Sequence, residues 1–107
     1  MRKPMENVVV LRIYVNTTDQ SGAQSLYEVI VERARNQGLA GATVVQGIMG
    51  FGEGREVHKA RKLALVEKLP VVIEIADDLD KIEAFLPVLD AFVESGLVVI
   101  EPAETSR

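Results

Sequence analysis

The segment Gly50–Lys62 gathers the residues best suited to hold an anion. Gly50, Gly52 and Gly54 fall within five positions, and Arg55, His58, Lys59, Arg61 and Lys62 follow. Successive glycines let backbone N–H groups converge, and the cations add charge, so the pattern suits a small anionic ligand. It equally describes a flexible loop followed by a solvated basic stretch, and both readings stand. His58 is the single histidine. No Ser or Cys lies near it to be activated and no His or Cys to share a metal, so a solitary loop residue is the simpler reading. Asp77 and Asp78 have the types for acid–base or Mg²⁺ chemistry, but they precede a helical pattern and are expected as its N-terminal caps. Met49 and Phe51 have the types to stack on a base, although an apolar pair at a strand end is expected in the core. No catalytic residue, metal ligand or cofactor is assigned, and the chain is expected to bind rather than to catalyse.

The composition narrows the classes further. A chain of 107 residues makes one domain, and 48% hydrophobic residues exclude disorder. With no Cys there is neither a disulfide scaffold nor a thiolate site. Net charge is −4, which disfavours nucleic acid as a partner. Four of the twelve basic residues nevertheless sit in the eight positions from Arg55 to Lys62. No apolar run approaches the roughly 18 residues that span a bilayer, and no export signal precedes the first strand, so the expected compartment is the cytoplasm, with no membrane insertion.

Those candidates must be positioned by regular elements. Val8–Val15 alternates as a strand, with Val9, Leu11, Ile13 and Val15 on one face and Val8, Val10, Arg12 and Tyr14 on the other. Gly22–Gln37 carries Ala23, Leu26, Tyr27, Ile30 and Ala34 at helical spacing, with Asp19 or Ser21 as cap and Gly38 as stop. Ala42–Met49 reads as a second strand and Gly50–His58 as an open loop. Lys59–Val66 has helix-forming composition but is expected as strand, helix remaining the alternative. Val71–Ala76 is a strand. Leu79, Ile82, Leu86, Leu89 and Val93 form a second helical seam that continues past Pro87. Gly96 ends it, Leu97–Glu101 is the last strand, and 102–107 is a tail.

Two βαβ-like halves pack most simply as a ferredoxin-like βαββαβ domain of α+β class. Its antiparallel sheet has strand order 4-1-3-2 and both helices lie on one face. The other face then presents Val8, Val10, Tyr14, Val72 and Ala76 with nothing in the chain to cover it, so self-association through Val10, Arg12, Tyr14, Val72 and Glu74 is expected. Arg12 and Glu74 fall on that face of neighbouring strands, either as an ion pair or as two solvated charges.

Two segments extend the reading beyond fold class. Gly41-Ala42-Thr43-Val44-Val45-Gln46-Gly47-Ile48-Met49-Gly50-Phe51-Gly52 resembles the second strand and the start of the T-loop of PII nitrogen-regulatory proteins. Leu69-Pro70-Val71-Val72-Ile73-Glu74-Ile75 resembles the strand that re-enters their sheet. Leu11-Arg12-Ile13-Tyr14, Leu26-Tyr27-Glu28 and Gly38–Thr43 complete a likeness, from Leu11 to Glu101, to the PII-like family known as domain of unknown function 190. The resemblance implies a homotrimer with small-ligand sites in the clefts between subunits and a loop that touches a partner protein. Adenine nucleotide is the ligand class implied. Thr43 and Glu74 would then line a base pocket, and Gly50, Phe51 and Gly52 would form the phosphate-side turn, with Arg55, His58 and Lys62 nearby. A membrane transport protein is the partner class implied.

Several PII positions differ. Glu53 stands where a basic residue follows Gly-Phe-Gly, Val71 where a Lys follows Leu-Pro, and Ser95-Gly96-Leu97-Val98 brings no Lys before the last strand. Most of a triphosphate clamp is absent, which shifts the expected ligand toward a smaller or less charged anion. The leading expectation is therefore a regulatory protein for a small anionic metabolite or adenine nucleotide. A ligand-free trimeric adaptor is the alternative. A metal-binding trimer resembling the copper-tolerance relatives of this fold comes third.

Overall fold

The computed structural model describes residues 7–61 and 67–106. β1 (Val8–Asn16) is followed by a tight hairpin of β2 (Gln20–Ser21) and β3 (Gln24–Ser25), then α1 (Leu26–Asn36) and β4 (Thr43–Gln46). A second hairpin pairs β5 (Met49–Gly50) with β6 (His58–Lys59), and β7 (Pro70–Asp78), α2 (Leu79–Asp90) and β8 (Leu97–Pro102) complete the chain.

β4, β7, β1 and β8 form one antiparallel sheet in that order, which is the expected 4-1-3-2 arrangement counted over the four long strands. Strand alternation sends Val9, Leu11, Ile13, Val15, Val71, Ile73 and Ile75 to one face. There they pack with Leu26, Ile30 and Ala34 of α1 and Ile82, Phe85 and Leu89 of α2. The fully buried Ile30, Ile82 and Phe85 mark where the two helical stripes meet the sheet.

Three local expectations are corrected. α1 begins at Leu26 rather than Gly22, because Asp19 captures the preceding turn. Its Oδ2 accepts the Asn16 N–H at 2.8 Å, its carbonyl accepts the Leu26 N–H at 2.8 Å, and Gly22 takes a left-handed φ of 61°. Ser25, not Asp19 or Ser21, occupies the N-cap position, and its side chain makes no cap bond. Asp77 does not cap α2 either. It extends β7, falls on the helix-facing side and is completely buried, with Oδ2 accepting the Ala40 N–H at 2.9 Å and Oδ1 the Asp78 N–H at 2.7 Å. Asp78 occupies the N-cap position of α2 without a side-chain cap bond. α2 carries Pro87 within it and ends at Asp90, followed by a turn in which Val93 N–H donates to Leu89 O at 2.8 Å.

Candidate functional site

The glycine-rich loop is a hairpin rather than an open loop. Gly50 pairs with His58 and Met49 with Lys59, and the ladder is extended by Ala60 N–H donating to Ile48 O at 2.9 Å. Two glycines of the motif have a packing reason. A Cβ on Gly47 would stand 2.7 Å from Pro70 Cγ, and one on Gly50 would stand 3.0 Å from it. The Gly47 N–H also donates to Pro70 O at 2.7 Å. The Gly47–Gly50 and Leu69–Pro70 words are thus two sides of one contact that seats the hairpin on the start of β7. Gly52 and Gly54 meet nothing and lie at the tip, where Arg55 N–H closes a turn onto Gly52 O at 2.8 Å. Arg55 itself takes φ 60°, unusual for a residue with a Cβ.

A second anchor escaped the sequence reading. Thr17, at the end of β1, donates its hydroxyl to Glu67 O at 2.5 Å and accepts the Leu69 N–H at 3.0 Å. Its own N–H donates to Leu69 O at 2.9 Å, and Glu67 Oε1 accepts the Arg61 N–H at 2.5 Å. The pattern around Thr17 offers no periodicity or motif that could have signalled this.

The hairpin exposes apolar as well as basic side chains. Ile48, Met49, Phe51 and Val57 are all more than half exposed, which corrects the expectation that Met49 and Phe51 join the core. The reason is positional, since the hairpin stands beyond the four-stranded sheet and the helices do not reach it. Arg55 and Lys59 are exposed beside them, whereas His58 is half-buried. Lys62 lies outside the described residues, as does the part of the 59–66 segment from 62 to 66.

The remaining candidates sit on the open sheet face. Thr43 and Glu74 are directly opposed in the β4–β7 register, as Arg12 and Glu74 are in the β1–β7 register. Arg12 Nε donates to Glu74 Oε2 at 3.0 Å, so the expected ion pair is present. Its Nη1 donates to Glu101 Oε1, a partner that sequence reading missed because the β1–β8 register could not be read in advance. The Arg12 guanidinium is held above its ordinary pKa, chiefly by the Glu101 bond, with Glu74 adding to the effect against partial desolvation. Around this cluster lie Val10, Tyr14, Val72, Val45, Leu97 and Val99, half-buried or exposed. The sequence-predicted ligand residues thus form two groups, Thr43 with Glu74 on the sheet and Gly50, Phe51, Gly52, Arg55 and His58 on the hairpin. β4 and the contact at Pro70 join them. A shallow depression of about 380 Å³, lined by residues of the β2–β3 hairpin with Phe92, Glu94 and Ser95, includes none of them. Among the described residues no three His, Cys, Asp or Glu side chains cluster as a metal site, and no helix is long and apolar enough to cross a membrane.

A family model described as an uncharacterized ACR, domain of unknown function 190, matches residues 8–105. The chain belongs to that family. A UPF0166 protein of Aquifex aeolicus is 36% identical over 95 residues, covering 89% of this chain and 90% of its relative. A UPF0166 protein of Methanocaldococcus jannaschii is 34% identical over 92 residues, covering 85% and 84%. Two solved structures share the fold of this domain of unknown function 190 protein. CPII, a nitrogen regulatory PII-like protein from Thiomonas intermedia K12 described as bound to ADP, AMP and bicarbonate, superposes with a TM-score of 0.64 at 20% identity. It covers 95% of this chain and 91% of its own. The divalent ion tolerance protein CutA1 of Ehrlichia chaffeensis superposes with a TM-score of 0.66 at 13% identity, covering 97% and 88%. The PII-like, ferredoxin-like architecture is therefore shared across the family's structural neighbours.

Proposed function

We propose that this domain of unknown function 190 protein is a PII-like regulatory module rather than an enzyme. In this reading it assembles as a cytoplasmic homotrimer through its open sheet face. It takes a small anionic metabolite or adenine nucleotide in the clefts between copies, and presents the 48–60 hairpin to a partner protein, with a membrane transport protein as the partner class. The observation that carries the reading is the pairing of an uncovered apolar sheet face with an exposed, glycine-tipped hairpin at that sheet's own edge, which carries Arg55 and Lys59 alongside Glu53 and Glu56. Apolar surface of that kind favours burial against another chain, and backbone N–H groups with nearby cations favour an anion at the seam. The nucleotides and bicarbonate named for CPII support the ligand class by likeness of fold. Regulation requires that the ligand favour one hairpin arrangement over another, not merely that it bind tightly.

A thermal-stability screen against AMP, ADP, ATP, cyclic nucleotides, bicarbonate and 2-oxoglutarate tests this. A ligand at roughly a hundredfold above its Kd adds about 2.7 kcal/mol, a rise of several degrees in a small domain. At least one compound is expected to give that rise, and Arg55→Ala with Lys62→Ala is expected to remove it. A flat response across the panel replaces the sensor with the ligand-free adaptor.

A further inference from the structure

The open sheet face carries its charges out of balance. Among the described residues, β1 places Arg12 and the phenol of Tyr14 on it, β7 places Glu74 and Asp78, and β8 places Glu101. β4 adds Thr43 and Val45, neither charged. Arg12 bonds both Glu74 and Glu101, so the triad has a formal charge of −1. Asp78, at the far end of the face, accepts the Asn7 N–H at 3.4 Å.

We propose that assembly of this face against further copies of the chain is proton-linked, with the Arg12–Glu74–Glu101 triad taking up the proton. The inference rests on the self-association reading above and names its regulation. In the free chain the side chains of Glu74 and Glu101 are 41% and 49% exposed, so water carries the surplus charge. Covering the face removes that water, and one guanidinium offsets only one carboxylate. The second must repel the equivalent triads or accept a proton, because desolvation without a counter-charge favours the neutral acid. The assembled state then holds more protons than the free chains. Association therefore strengthens as pH falls and weakens as pH rises, by at most about tenfold per pH unit for each proton taken up.

The test compares wild type, Glu74→Gln, Glu101→Gln and Glu83→Gln at pH 6.0, 7.0 and 8.5. Glu83 is exposed on α2, away from this face, so its variant changes net charge equally. Association is followed by sedimentation of dilution series and by subunit exchange between labelled copies, with circular dichroism confirming each fold. Wild type and Glu83→Gln are expected to associate progressively more weakly as pH rises from 6.0 to 8.5. Glu74→Gln and Glu101→Gln are expected to flatten that slope and to associate more tightly at pH 8.5. A wild type that assembles equally at all three pH values overturns this inference alone, as does a slope that both triad variants keep or that Glu83→Gln also flattens. A wild type that stays monomeric throughout overturns the self-association reading together with it.

Discussion

A methyl group added at Gly47 would stand 2.7 Å from Pro70 Cγ, closer than any relaxed packing allows, so Gly47→Ala must move the hairpin or the start of β7. Denaturant unfolding should show a loss of about 1–3 kcal/mol, the usual cost of overpacking. Gly52→Ala, with open space at its Cβ position, should leave the unfolding midpoint unchanged. Equal effects at the two glycines would show that the Pro70 contact is not what selects Gly47. Asp77 supplies a second test at this scale. Its buried carboxylate accepts the Ala40 and Asp78 N–H groups, which are themselves only partly buried. Asp77→Ala therefore removes two bonds whose donors water can reach and should cost about 1–3 kcal/mol in all. Guanidinium titration reads that loss. A neutral result would mean that the Ala40 and Asp78 amides find other acceptors.

Elements differ in how openly the sequence announces them. β1 and β7 were legible because alternation and β-branching agree, β8 because of its β-branched run, and α2 because Ile82 and Leu89 recur at helical spacing. Phe85, which the spacing did not mark, is buried where Leu86 was expected. The start of α1 was not, since Ala23 continues a helical spacing that the Asp19 turn interrupts through hydrogen bonds, which periodicity does not encode. Asp77 misled for a related reason, because its type suits a cap while its strand position sends it inward. At the site, the glycine and Arg12–Glu74 signals were readable, whereas Glu101 and the Thr17 anchor depend on register and long-range bonds. The β5–β6 hairpin yields a prediction of its own. Residues 51–57 are all exposed, and Gly50 faces His58, so an Asn-Gly turn can replace them in a two-residue hairpin. That replacement should leave the melting temperature of the domain within a few degrees while removing any stabilisation by small anions. A collapse of the fold would show the tip to be structural.

For the whole molecule, the decisive feature is the sheet face opposite the helices. Tyr14, Val45 and Leu97 are 38%, 49% and 60% exposed there, around the Arg12–Glu74–Glu101 cluster. An isolated copy would leave this surface in water, and a trimer would cover it and create the seams that a ligand needs. Val72→Asp, placing a charge beside Tyr14 on that face, should drive the assembly to single chains without altering far-UV circular dichroism. The most direct measurement is the solution mass by light scattering coupled to size exclusion. The proposal predicts three times the 11.7 kDa of one chain, and a single chain at every concentration would contradict it.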